Sequence, residues 1–234
     1  IDVSTSMLAE DLKPNRLEAA KDVAAEFING RPNDNIGITL FAGETFTQCP
    51  LTVDHAVLLD MIHNIKCGLI EDGTAVGMGV ANAVTRLKDS KAKSKVIILL
   101  TDGTNNKGDI SPLTAAEIAK SFGIRVYTIG VGTNGMAPYP YPVGNTVQYI
   151  NMPVEIDEKT LTQIAGTTDG NYFRATSNSK LKEVYEEIDK LEKTKLNVKE
   201  YSEREEDYRW FALAAFLCVL LEVLLRNSIL KKIP

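Results

Sequence analysis

The sequence predicts an α/β fold in which a doubly wound, mostly parallel sheet is flanked by helices, a Rossmann-like arrangement. Two continuous apolar runs, 95–101 and 124–131, are typical of central parallel strands, because helices cover both faces of such strands. Segments with helical spacing of apolar residues separate the strand-like segments, which predicts βαβ crossovers. The ligands of such a sheet bind at the carboxyl ends of its strands.

End signals and apolar spacing define the predicted elements. The first helix has apolar residues at helical spacing from Leu17 to Phe27 and ends at Gly30. Asp54 is a candidate N-cap for the second helix, and Pro112 suits the first turn of the fourth. In chain order we predict a helix over 14–29, strands over 36–42 and 45–49, helices over 54–65 and 76–87, a strand over 95–101, a helix over 112–122, a strand over 124–131, a helix over 157–165, a short edge strand over 171–174 and a helix over 178–191.

Composition indicates a folded domain and limits its partners. The chain has 234 residues, 44% hydrophobic and 24% charged, as in globular proteins. A formal net charge of −5 without a basic stripe argues against nucleic acid as the main partner. Three cysteines are too few for a disulfide framework. Cys49 and Cys67 either pair in an oxidising compartment or stay free as buried thiols.

The C-terminal region has the composition of a membrane anchor. Residues 210–225 contain a single charge, Glu222, and a helix extended to 230 would rise about 31 Å, which matches a hydrocarbon core. We therefore predict a domain over 1–191, a charged linker over 192–209, a transmembrane helix over 210–230 and a short basic tail over 231–234. Positive charge after the span places the domain outside the cytoplasm. The alternative is a buried terminal helix of a soluble protein.

Oxygen-bearing side chains follow two of the predicted strands. Asp2, Ser4 and Ser6 come directly after Ile1, so the first strand is expected to be truncated. Asp102 follows the strand over 95–101, and Thr74 precedes the helix over 76–87. Hard divalent cations take such oxygen ligands, and neutral hydroxyls leave the ion enough charge to bind one more anionic oxygen. The alternative is that the two serines only cap the turn after the strand.

This pattern, in this order and at strand ends, resembles the metal-ion-dependent adhesion site (MIDAS) of von Willebrand factor A (VWA) domains. The resemblance covers 1–191, and Thr5 stands where the family often has Gly. It implies a Mg2+ (or Mn2+ or Ca2+) site with one position open for an Asp or Glu of a protein partner, and no enzymatic activity. The implied ligands are Asp2, Ser4, Ser6, Thr74 and Asp102.

Several segments also resemble one bacterial branch, the Bat (aerotolerance-operon) A and B proteins. The matching segments are 48–52, 72–75, 93–103, 125–133 and 169–175. This resemblance implies a scaffold role in a bacterial inner membrane, with further membrane segments upstream of Ile1. Together with the charge bias around 210–230, it places the VWA domain on the periplasmic side.

Other chemistries fit the sequence less well. A metal-dependent phosphoryl-transfer enzyme with Asp2 as nucleophile needs a second acid two residues on, where Ser4 stands. The glycine pattern of 130–135 matches a dinucleotide fingerprint, but prolines follow where a helix is required, so we expect no nucleotide. The segment 102–109 is not an EF-hand, because Lys107 occupies the required Gly position. The two histidines fall on the helix over 54–65, away from the site.

Prolines dominate the segment 136–153, which excludes a helix or a central strand there. We predict a long surface loop at the edge of the sheet that carries the metal site, because the segment leaves the strand that ends at Val131. Tyr139, Tyr141 and Tyr149 either form a contact surface or pack on the domain itself.

Overall fold

The computed structural model describes residues 1–133, 135–144, 146–154 and 156–202, together with 213, 215, 216, 219, 222 and 223. Ile1–Leu191 form one compact unit. Most of the predicted transmembrane helix over 210–230, and all of the tail over 231–234, lie outside the described residues. Within the described part of the chain, no helix is both long enough and apolar enough to cross a membrane.

Helices and strands alternate along the chain, as predicted. A short 3-10 turn over Thr5–Leu8 precedes them. The elements are α1 (Arg16–Asn29), β1 (Ile36–Phe41), β2 (Thr45–Thr52), α2 (His55–His63), α3 (Val76–Leu87), β3 (Lys95–Thr101), α4 (Pro112–Ser121), β4 (Ile124–Val131), β5 (Gly135–Val143), β6 (Thr146–Val154), α5 (Glu158–Thr167), β7 (Tyr172–Ala175) and α6 (Asn178–Ser202). Four elements run past their predicted ends: β2 continues to Thr52, α5 to Thr167, β7 to Ala175 and α6 to Ser202.

Residues 1–3 lie between β1 and β3 in the main sheet. Val3 N–H donates to Phe41 O, and Asp2 N–H donates to Leu100 O at 3.0 Å. The bridge to β1 is parallel, β3 pairs in parallel with β4, and β4 pairs in parallel with β7. β2 adds to β1 in antiparallel orientation. The resulting strand order is β2-β1-(1–3)-β3-β4-β7, which confirms the predicted mostly parallel sheet. The chain adds β1 and β2 on one side of residues 1–3, and β3, β4 and β7 on the other, so the topological switch point lies between residues 1–3 and β3.

Helices cover both faces of this sheet. On one face, α1 and α6 contribute residues such as Leu17 and Ile188, which pack in one cluster with Leu100. On the other face, α3, α4 and α5 pack in a second cluster that includes Leu99. Neighbouring residues of β3 thus point to opposite layers, as the pleat of a strand requires. A central strand packed on both sides gives the loops at its carboxyl end a rigid base.

The helix starts use the predicted signals. The Asp54 side chain accepts a hydrogen bond from Val57 N–H at the start of α2. Ser111 caps α4 in the same way, with Pro112 in the first turn. Both caps satisfy backbone donors that have no partner inside the helix.

The prediction of a loop over 136–153 is wrong, because β5 and β6 form an antiparallel hairpin there. Pro138 faces Asn151 and Pro140 faces Tyr149, so these prolines occupy every second pair. In an antiparallel pair, alternate residues direct their backbone groups away from the partner strand. The Pro138 carbonyl does so and accepts from Glu10 N–H at 2.8 Å. Prolines at these positions therefore remove no hydrogen bond from the ladder, and the segment tolerates them as a strand.

Candidate metal centre

Asp2 lies in the segment 1–3 between β1 and β3, and its carboxylate is fully buried. Its Oδ1 accepts from Ser4 N–H at 2.9 Å and from Ser4 Oγ at 2.6 Å. Its Oδ2 accepts from Thr101 Oγ1 at 2.5 Å, at the end of the neighbouring strand β3. Donors from two adjacent strand ends thus fix the carboxylate in one orientation.

Ser4, Ser6 and Asp102 continue the same chain of oxygen atoms. Ser4 Oγ lies 2.9 Å from Ser6 Oγ, and Ser6 Oγ donates to Asp102 Oδ1 at 2.8 Å. Metal–oxygen distances of about 2.1 Å give an octahedral Mg2+ site oxygen–oxygen edges of about 3 Å. The spacing of these side chains therefore suits ligands of one small cation.

Thr74 reaches the same edge from the loop before α3. Its backbone N–H donates to Asn106 Oδ1 at 2.9 Å, which ties it to the loop that follows Asp102. A Cβ built on Gly103 would lie 3.2 Å from Thr74 Oγ1, so the hydroxyl lies against the residue after Asp102. The structure thus brings all five predicted side chains to one edge of the sheet. That they bind a metal stays a prediction.

The surroundings of the two carboxylates of the site raise the pKa of each of them. Burial, and then the negative charge of Asp102, raise the pKa of Asp2 to about 7, although hydrogen bonds from Ser4 and Thr101 favour the ionised form. Burial also raises the pKa of Asp102, and the nearby Arg16 guanidinium opposes that change. Two buried acids at this spacing disfavour their own charges, and a bound cation would remove that penalty.

Two charged residues that the sequence did not point to complete the site. Arg16 Nη1 donates to Asp102 Oδ2 at 2.6 Å, and the other side of the guanidinium binds both oxygens of Asp11. The Arg16 side chain is only 1% exposed. One signal for it was available, because Arg16 stands four residues before Ala20 and so falls on the apolar face of α1. A charged residue on that face indicates a buried partner.

The hydrogen bonds of Thr5 give a role to the one residue that departs from the VWA pattern. Its N–H donates to Asp72 Oδ1 at 3.0 Å and its Oγ1 donates to Asp72 Oδ2 at 2.7 Å. A glycine at this position would keep only the backbone hydrogen bond. Thr5 therefore links the turn that carries Ser4 and Ser6 to the loop that carries Thr74.

The donors near the site are hard oxygen atoms. Among the described residues, no group of three or more His, Cys, Asp and Glu is placed to hold a metal. Cys49 and Cys67 are free thiols. Cys67 Sγ contacts Ser4 O at 3.4 Å, and burial followed by the charge of Asp2 raises the pKa of this thiol to about 12. A protonated thiol is a poor ligand, so hydroxyls and two carboxylates remain the donor set.

Two of the glycines of 130–135, Gly130 and Gly132, allow close packing in this chain. The segment continues into β5 and not into the helix that a dinucleotide fingerprint requires. Gly132 has a φ of 125°, and a Cβ there would lie 2.5 Å from Arg16 Nη2. The missing side chain at Gly132 therefore makes room for the guanidinium that pairs with Asp102.

The β5–β6 hairpin rises from the same edge of the sheet as the candidate metal centre. Tyr141 is 52% exposed and Tyr149 61% exposed, while Tyr139 is partly buried. Residues 146–153 are exposed on both faces of β6, and the side chain of Tyr149 makes a hydrogen bond to Glu10 of the domain. No residue of 135–154 carries a formal charge. The hairpin is thus an exposed, uncharged and largely apolar ribbon.

Comparison with known proteins identifies close relatives of this fold. BatB from Bacteroides thetaiotaomicron is 34% identical, with a TM-score of 0.72 over 82% of this chain and 96% of that one. An aerotolerance-related membrane protein from Bacteroides fragilis is 34% identical, with a TM-score of 0.69 over 81% of this chain and 96% of that one. A UPF0353 protein of Mycolicibacterium paratuberculosis is 31% identical over 79% of this chain, which spans 56% of the length of that relative.

A solved structure with a metal also matches. Proximal thread matrix protein 1 from the mussel byssus, whose structure has a zinc-occupied MIDAS motif, is 26% identical, with a TM-score of 0.63 over 81% of this chain and 43% of that one. The model of the von Willebrand factor type A domain matches residues 1–187. The chain therefore belongs to the von Willebrand factor type A domain family, and its structural relatives include BatB.

Proposed function

We propose that this domain holds a divalent cation, Mg2+ or else Mn2+ or Ca2+, and through it binds an acidic residue of a protein partner. The observation that carries the proposal is the unbroken chain of oxygen contacts from Asp2 through Ser4 and Ser6 to Asp102, with steps of 2.6–2.9 Å. The zinc-occupied MIDAS of the mussel protein supports the proposal, because that motif lies on the same fold.

The donor set determines the chemistry that the ion would supply. The three hydroxyls are uncharged, and Arg16 offsets the charge of one of the two carboxylates. These ligands therefore neutralise a divalent cation only in part. The residual positive charge favours one further anionic oxygen in the coordination sphere. An Asp or Glu side chain of a partner provides such an oxygen.

The exposed hairpin provides the surface around that contact. Its base is tied to the turn after the metal residues, because Glu10 N–H donates to Pro138 O. Tyrosine and methionine side chains are typical of the apolar part of protein interfaces. In our proposal the partner's carboxylate binds the metal, and apolar residues around that carboxylate bury Tyr141 and Tyr149.

The chain's relatives support a bacterial membrane as the location of this function. One structural neighbour is described as an aerotolerance-related membrane protein. The apolar segment 210–225 of this chain has the composition of an anchor. We propose a membrane-anchored scaffold linked to stress or aerotolerance, with the VWA domain on the periplasmic side.

A phosphoryl-transfer enzyme with Asp2 as nucleophile is the alternative, and the geometry disfavours it. The side chain is fully buried, and hydrogen bonds from Ser4 and Thr101 occupy both carboxylate oxygens. A nucleophile must reach the phosphorus atom in line, which these contacts prevent.

Metal-dependent capture of membrane proteins tests the proposal. The full chain, immobilised in detergent, is incubated with solubilised membranes of its own organism in Mg2+ or in EDTA. We expect a partner retained only in Mg2+ and lost with Asp2→Ala and with Ser4→Ala. Asp22→Ala, which removes an exposed acid from α1, is the matched control and should retain it. Retention that is unchanged by EDTA and by both substitutions would contradict the proposal.

A further inference from the structure

A buried chain of ion pairs leads from the candidate metal centre into the domain. Arg16 Nη1 donates to Asp102 Oδ2 at 2.6 Å, and Arg16 Nε and Nη2 donate to Asp11 Oδ1 and Oδ2 at 2.7 and 2.6 Å. The side chains of Asp11 and Asp102 are 5% and 0% exposed. Because water screens such buried charges weakly, each of them acts on a cation bound beside Asp102.

The two oxygen atoms of Asp102 have different partners. Oδ1 accepts from Ser6 on the side of the predicted ligands, while Oδ2 accepts from Arg16. The guanidinium therefore offsets the charge of the carboxylate without occupying the oxygen that faces Ser6. Asp2, Asp102 and Asp11 carry three negative charges and Arg16 carries one positive charge, so a divalent cation beside them brings the sum to zero. Without Arg16 the sum would stay negative.

The end of β4 fixes the position of this guanidinium. A Cβ on Gly132 would lie 2.5 Å from Arg16 Nη2 and 2.6 Å from Arg16 Cζ, so the group packs directly on that glycine. Thr133 N–H donates to Asp11 Oδ2 at 2.7 Å and thereby holds the second partner of Arg16 in place. An arginine that is wedged between two acids and a backbone cannot move its charge away from Asp102.

We infer that Arg16 determines the ligand specificity of this site: its charge keeps the loaded centre from carrying a net negative charge, so that the open coordination position selects a carboxylate over a neutral oxygen. The inference rests on the proposed function, because it requires a bound cation with an open position. Arg16 acts through Asp102 and is a positioning residue. Asp11 acts with the opposite sign, because its negative charge offsets part of the charge of Arg16.

The test uses Mn2+ alone and then sodium acetate as probes of the full chain in detergent. Water-proton relaxation follows both steps, because binding to protein raises the relaxivity of Mn2+ and displacement of a metal-bound water by acetate lowers it. We expect Arg16→Gln to bind Mn2+ at least about ten-fold more tightly and acetate at least about ten-fold more weakly, as loss of a poorly screened positive charge requires. Asp11→Asn should change both affinities in the opposite directions.

These opposite signs separate a specificity role from a structural one. Damage to the fold would weaken Mn2+ and acetate binding together. Arg16→Lys keeps the charge but loses the paired hydrogen bonds to Asp11, so a charge-based role predicts acetate binding within about three-fold of the wild type. The inference is overturned if, within each of Arg16→Gln and Asp11→Asn, the affinities for Mn2+ and acetate change in the same direction. It is also overturned if neither affinity changes. If Arg16→Gln does not fold, Asp11→Asn and Arg16→Lys decide by the same criterion. A wild-type chain that binds no Mn2+ overturns the proposed function itself.

Discussion

The candidate metal centre and the β5–β6 hairpin occupy the same edge of the sheet but are built on opposite principles. The centre is buried and polar, and its atoms are fixed by hydrogen bonds between segments far apart in the chain, such as Ser6 with Asp102. The hairpin is exposed and uncharged, and its strands pair mainly with each other. In our account the centre supplies a charge-selective contact, and the hairpin supplies apolar surface around it.

One edge of the sheet can therefore combine a charge-selective site with a large apolar contact surface. A buried polar network has a single low-energy arrangement, because each unpaired group would cost free energy. A two-stranded ribbon has little core of its own and gains stability when a partner covers it. Loss of either region should therefore affect partner binding, but only the first should affect metal binding.

The first prediction concerns metal binding, which should depend on the candidate metal centre and not on the hairpin. Asp2→Ala removes a carboxylate that contacts Ser4 and Thr101, and we expect Mn2+ affinity to fall by at least about 100-fold, as loss of a charged ligand requires. Isothermal titration of the full chain measures this. The hairpin variant Tyr141→Ser is the matched control and should bind Mn2+ like the wild type. Equal losses of Mn2+ affinity in both variants would contradict a metal site that is independent of the hairpin.

A second prediction concerns the hairpin. Tyr141→Ser combined with Tyr149→Ser removes two exposed rings, and capture of the partner in Mg2+ should fall by at least about ten-fold, because buried aromatic residues carry much of an interface's binding free energy. The capture assay described above measures it. Phe122→Ser, which removes an exposed ring after α4, should leave capture unchanged. If the double variant captures its partner normally, the hairpin is not part of the interface.

A third prediction concerns pH. The pKa of Asp2 is about 7 in the folded, metal-free domain, against an ordinary value of 3.8. The folded state therefore binds more protons than the unfolded state between these values, and Asp2 lowers the free energy of unfolding as pH rises from about 4 to 7. Urea unfolding without metal should show this loss in the wild type relative to Asp2→Asn, and saturating Mg2+ should remove it. The same pH dependence in both proteins would show that Asp2 does not titrate in this range.

The smallest expected effect tests the link between the two ligand-bearing loops. Thr5→Val removes the hydroxyl that donates to Asp72 and keeps the backbone hydrogen bond. We expect a loss of about 1 kcal/mol in the free energy of unfolding, the usual net value of one hydrogen bond, with Mn2+ affinity changed by less than about three-fold. Chemical denaturation and calorimetry measure the two quantities. A larger loss of affinity would place Thr5 among the residues that shape the site.

Local signals in the sequence predicted most of the fold. The apolar runs of β3 and β4 are strong because both of their faces are buried, and caps such as Asp54 mark helix starts directly. Asp2, Ser4, Ser6 and Asp102 could be grouped because carboxyl ends of parallel strands meet at one edge, and the resemblance to VWA domains added Thr74.

The missed features depend on tertiary contacts. Arg16 owes its role to Asp102, which lies far away in the sequence and approaches only in the folded sheet. The hairpin was missed because prolines normally break strands, and only the pairing register shows that Pro138 and Pro140 direct their backbone outward. The place of Arg16 on the apolar face of its helix indicates a buried partner but not which one, and no local signal gives the register of the hairpin.

Anomalous diffraction at the manganese edge, from crystals of the chain soaked in Mn2+, tests the central claim most directly. We predict one peak at the sheet edge, about 2.1–2.3 Å from the hydroxyl oxygens of Ser4 and Ser6, with a water at the position left for the partner. Asp2, Thr74 and Asp102 should contact the ion directly or through water. A protein without a peak there, or with its Mn2+ bound at another surface, would contradict the account.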